Sequence, residues 1–151
     1  MNLDRLADVR GTRIIQASLG GTAVFALTGL PAAAGVEAFQ VPSAVISLVL
    51  FVVSIPLALL ALARAAVRTA RQEDRITVTS LFFLQASAPK PVRRLLLGSL
   101  AVSLVVTVLS AAREPFGILE PVFPLALCGQ WAARHGTFPR IPNPSGGGPP
   151  D

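Results

Sequence analysis

An acidic side chain within an apolar stretch has the strongest claim to chemistry in this chain, because an ionised carboxyl near a bilayer centre costs at least ~2.5–3.5 kcal/mol. Glu120 is the one acid so placed, four residues past Phe116 and followed by Pro121 and Pro124. Prolines in an apolar run free backbone carbonyls, and broken helices of this kind coordinate ions where they line a cavity. A proton or a small cation is the chemistry such a carboxyl could serve. Its position near the outer end of the run also lets it reach headgroups or pair with Arg113. This interfacial reading is the plainer one, and Glu120 with Arg113 forms the candidate intramembrane polar site.

Other reactive side chains lack the partners that their chemistry needs. His135, the single histidine, has no second histidine, carboxylate or cysteine at metal-ligand spacing, so no metal site is expected. Cys128 stands alone; it forms no intramolecular disulfide and reads as a small apolar residue. Ser99, Ser103 and Thr107 recur every four residues without the histidine and carboxylate of a hydrolase triad. Together with Ala17 and Gly21 they read instead as small-residue helix faces for close packing. Trp131 reads as an interfacial anchor. No phosphate-binding loop, G-x-S-x-G or H-E-x-x-H is present, so the expectation is a protein without catalytic residues or cofactor.

The elements that must position these residues are apolar. Of the 151 residues, 52% are hydrophobic and 14% charged, and the mean hydropathy is +0.64. Too few charges exist to cover a water-exposed surface. The charges fall in blocks between four apolar stretches at about 14–36, 41–63, 92–112 and 116–133, each near the ~20 residues that a transmembrane helix requires. The fold class is therefore all-α, a four-helix transmembrane bundle with one interfacial cytoplasmic loop. Pro56 is set to kink the second helix. The fourth stretch is the shortest, and a re-entrant or partly unwound segment is its alternative.

Charge asymmetry gives an orientation. Twelve of the thirteen basic residues lie in residues 1–13, in the loop 64–91 and its junction with the third helix, or from Arg134 onward, and Arg113 alone lies on the other side. The positive-inside rule then places both termini in the cytoplasm. The same arginines flank apolar runs without interleaved aromatics, which argues against nucleic acid as a partner. The partner they suit is the lipid bilayer, with Arg75, Lys90, Arg93 and Arg94 as candidate lipid-headgroup contacts. Between them, Ile76–Leu84 is too short to span and too apolar for water, so it is expected at the headgroup boundary, with a short strand as the alternative. Pro31-Ala32-Ala33-Ala34-Gly35 resembles a signal-peptide cleavage site. The long apolar run before it and the acids Asp4 and Asp8 favour retention of the first helix. The Pro- and Gly-rich residues 136–151 read as a disordered cytoplasmic tail.

Leu81-Phe82-Phe83-Leu84, Ala88-Pro89-Lys90-Pro91-Val92-Arg93-Arg94, Arg113-Glu114-Pro115-Phe116 and Gly129-Gln130-Trp131 through Arg134-His135-Gly136-Thr137-Phe138-Pro139 together resemble a family of small four-span actinobacterial membrane proteins. The resemblance covers most of residues 70–140 and implies a bacterial plasma-membrane location, but it carries over no catalytic residue. Small-residue helix faces and the lack of catalytic groups point to an accessory or scaffold protein that packs as a homo-oligomer or against a larger membrane-protein partner. The alternative is a subunit of a small transporter or channel using Glu120.

Overall fold

The computed structural model describes residues 11–71, 76–85, 87–113 and 115–138. The described chain is all-α: α1 (Thr12–Ala33), α2 (Gln40–Ala70), α3 (Val78–Phe82), α4 (Lys90–Ser110) and α5 (Val122–His135), with 3₁₀ turns at Glu37–Phe39 and Pro115–Leu119. Four segments are long and apolar enough to cross a membrane: Thr12–Ala33, Glu37–Ala70, Lys90–Ser110 and Pro115–His135. The candidate headgroup residue Arg75 and the chain beyond Phe138 lie outside the described residues.

Burial runs opposite to the pattern of a water-soluble bundle. On α2 the buried residues are Ser43, Ser47, Ser54, Ala61 and Ala65, while Val41, Val45, Leu48, Val52 and Leu59 face outward. Small and polar residues belong inside when the surrounding solvent is as apolar as leucine, since close backbone approach then drives association. The inward hydroxyls are satisfied locally: Ser47 donates to the Ser43 carbonyl (2.9 Å) and Ser54 to the Phe51 carbonyl (2.6 Å). On α1 the buried face is Ile15, Ser18, Thr22, Phe25, Gly29 and Ala32, spaced by threes and fours as one helix face requires. The expected pair Ala17 and Gly21 is thus one position off. Ala17 is exposed, although Gly21 does admit the Phe123 ring where a Cβ would collide with it.

One boundary and two placements differ from what the sequence predicts. The helix expected to end near Ala63 continues to Ala70, because Ala61 to Ala70 is rich in strong helix formers; the arginines end the apolar stretch without ending the helix. Arg64 and Arg68 consequently stand on α2. The segment Ile76–Leu84 forms no strand, and it rests on the surface only in part: Val78 and Phe83 are exposed while Leu81 and Leu84 turn inward. Thr77 and Ser80 make a reciprocal capping box that starts the single turn of α3. Leu81 and Leu84, 2% and 0% exposed, plug the basic end of the bundle beside Ile15, Val92, Leu96 and Trp131. Trp131 is likewise a core residue at 2% exposure, not an interfacial anchor, since the plug covers it.

The fourth segment, the shortest in sequence, is central in space. Within Pro115–His135, 67% of the most apolar stretch is buried, against 17% for Glu37–Ala70. α5 packs chiefly on α2, and α1 chiefly on α4. Cys128 (0% exposed) fills space among these helices as a small hydrophobe.

Candidate functional site

The pairing of α1 with α4 is made by a hydroxyl ladder. Ser18 and Ser99 lie 2.6 Å apart through their Oγ atoms, and Thr22 Oγ1 lies 3.3 Å from Ser103 Oγ. Both rungs join residues 81 apart, so the two helices run parallel in constant register. Thr107 ends the ladder by donating to the Gly117 carbonyl at 3.1 Å. The four-residue recurrence of Ser99, Ser103 and Thr107 is thereby absorbed in packing within the chain.

The last turn of this ladder holds the broken part of the fourth span. The chain descends from Ser110 through the 3₁₀ turn Pro115–Leu119, reaches Glu120 and Pro121, and only then begins α5 at Val122. Exposed backbone donors at a helix start are costly in an apolar medium. Here the sequence removes two of them, since Pro121 and Pro124 carry no N–H. Phe123 and Leu125 donate to the Glu120 and Pro121 carbonyls at 2.8 and 3.3 Å, and Glu120 itself donates to the Gly117 carbonyl at 3.2 Å. Gly117 allows the close approach, because a Cβ there would press on the Ser110 hydroxyl and the Phe25 ring.

Glu120 is fully buried, at 0% exposure. The Ser103 side chain neighbours its carboxyl, yet neither carboxyl oxygen has a donor at hydrogen-bonding geometry among the described residues. Its neighbour Ser103 lies roughly 10 Å, at ~1.5 Å per residue, from the C-terminal end of α4. The expected pairing of Glu120 with Arg113 is overturned, since no donor among the described residues reaches its carboxyl, which is enclosed by protein. The burial has a plain physical reason: the two prolines stop the outer half of the span from forming a full helix, so Glu120 arrives at the depth where α5 begins. Arg113 stays in the loop after α4, where its guanidinium lies against Gly35, whose φ of +93° only glycine adopts readily.

The arrangement is a buried carboxyl just before the N-terminal end of α5, with the Ser103 hydroxyl beside it. An ionised carboxylate without donors is unfavourable when so enclosed. The group is stable there with a proton or a cation bound to it, and the Ser103 hydroxyl supplies a further oxygen atom next to it. No group of three or more metal-ligating side chains occurs among the described residues.

A second polar cluster escaped the sequence reading. Arg64 donates to Gln130 Oε1 at 2.7 Å, and Gln130 Nε2 donates to the Leu57 carbonyl at 2.6 Å. Arg68 reaches the Ala133 carbonyl at 3.4 Å and stacks over the Phe138 ring. These bonds clamp the basic ends of α2 and α5 together. The available signal was an amide in the middle of an apolar run, which must find a partner when buried. His135 packs beside Trp131, with ring centroids 5.8 Å apart. Lys90, Arg93 and Arg94 are exposed at the start of α4, as headgroup contacts need. Compared with protein-family models, curated proteins and solved structures, the chain matches none.

Proposed function

We propose that this chain is a subunit of a small transporter or channel of the bacterial plasma membrane, with both termini cytoplasmic, in which Glu120 takes up and gives back a proton or small cation. The observation that carries this reading is the fully buried carboxyl without a donor among the described residues. An acid kept inside a membrane against its cost marks an ion or proton pathway more often than a packing site. Its setting adds support, since a span broken beside a buried acid is how transporters build coupling sites. The excess of basic residues on one side supports the orientation. In proteoliposomes under an imposed pH gradient, the wild-type protein should dissipate the gradient and Glu120→Gln should behave as empty vesicles. Equal flux for both proteins would remove Glu120 from the pathway.

A second reading, an accessory or scaffold protein without enzymatic activity, rests on the outward face of α2. Val41, Val45, Leu48 and Val52 there offer a long apolar strip to another transmembrane helix. The small-residue faces are already used between α1 and α4, so association on this reading runs through α2. Copurification in mild detergent tests it: a monodisperse, partnerless protein would count against it.

A further inference from the structure

Toward the basic end of the bundle, a groove of about 360 Å³ lies along the seam of α1 and α4. Leu19, Ala23 and Ala26 of α1 form one wall; Leu95, Gly98 and Val102 of α4 form the other, and Arg94 stands at the mouth. Thr22 and Ser99 also border it, but their hydroxyls are engaged with Ser103 and Ser18, so the groove presents carbon along its length. Space above Gly98 is open: a Cβ there would meet nothing within 4 Å. From Arg94 to Val102 the groove runs ~12 Å at 1.5 Å per residue, close to the depth of one leaflet of a roughly 30 Å core.

We infer that this groove binds one anionic phospholipid, its phosphate on Arg94 and an acyl chain along Ala23, Ala26, Gly98 and Val102. Charge complementarity decides the occupant. The walls offer no hydrogen-bonding group to a polar solute, whereas the mouth offers a guanidinium with Arg93 and Lys90 exposed nearby. An acyl chain with an anionic acceptor at one end matches both features. The groove between α2 and α5 is also bordered by arginines, but Arg64 there is tied to Gln130 and Arg68 is stacked on Phe138.

The test is native mass spectrometry of the full-length protein, extracted in mild detergent from vesicles with equal phosphatidylglycerol and phosphatidylethanolamine. Wild-type protein should retain phosphatidylglycerol preferentially. Arg94→Gln should lower that retention about fivefold, the equivalent of about 1 kcal/mol for one basic residue at an anionic headgroup. Gly98→Leu should abolish it by filling open space, and its gain in helix propensity keeps folding out of question. Retention unchanged in both variants would overturn the inference, as would equal retention of the two lipids by wild-type protein. Loss in Gly98→Leu alone would overturn the anionic headgroup assignment, and displacement by excess inorganic phosphate would point to a soluble anion instead.

Discussion

A buried polar group without partners lowers stability, and at Glu120 that cost is open to measurement. Exchanging it for methionine removes an unsatisfied carboxyl from the core of the bundle and leaves an unbranched side chain of similar length. Glu120→Met should therefore unfold at higher temperature in detergent, by the equivalent of about 1–3 kcal/mol, while abolishing flux. Gain of stability with loss of activity is the pattern of a functional site that the fold tolerates at a cost. A destabilised Glu120→Met would instead show that the carboxyl is held by structural bonds. The acid and its prolines were legible in the sequence as a candidate site. Its enclosure by protein was not, because position along an apolar run fixes a side chain's surroundings only if the run is one continuous helix, and the 3₁₀ turn at Pro115–Leu119 breaks that relation.

Among the elements, the clamp between α2 and α5 carries the clearest consequence. Gln130→Leu leaves Arg64 without its acceptor and the Leu57 carbonyl without its second donor. We expect a loss of about 1.5–3 kcal/mol, as for hydrogen bonds to charged groups, read as a lower unfolding temperature with Glu120→Met as the opposite control. Element existence was readable from apolar length, since each of the four stretches, the fourth with Glu120 inside it, corresponds to a segment fit to span. Element ends were less so. α2 runs past the last apolar residue on alanine propensity, and the short α3 depends on a capping box and on a tertiary contact, the Phe82 ring seated at Gly129. Such docking involves residues nearly fifty apart, and neither local propensity nor periodicity encodes it. On α1 the expected small-residue pair holds only at Gly21, which meets the Phe123 ring; Ala17 is exposed, and Ser18 and Thr22 make the contacts to α4.

For the whole molecule, the account requires a polarised bundle: a basic end closed by Leu81, Leu84 and Trp131, an outer end with Arg113 on Gly35, and a carboxyl between them. Polarity is testable by labelling. Ala112 and Ala70 are exposed at opposite ends, whereas Cys128 is buried. A membrane-impermeant maleimide added to intact cells should label Ala112→Cys and spare Ala70→Cys until the cells are lysed, with native Cys128 silent throughout. The reverse pattern would invert the orientation. Infrared difference spectroscopy of the reconstituted protein, wild type minus Glu120→Gln, tests the central claim most directly. A Glu120 carboxyl band that shifts when the pH is changed or a cation is added is the predicted result. A difference spectrum in which no Glu120 band responds to either would contradict it.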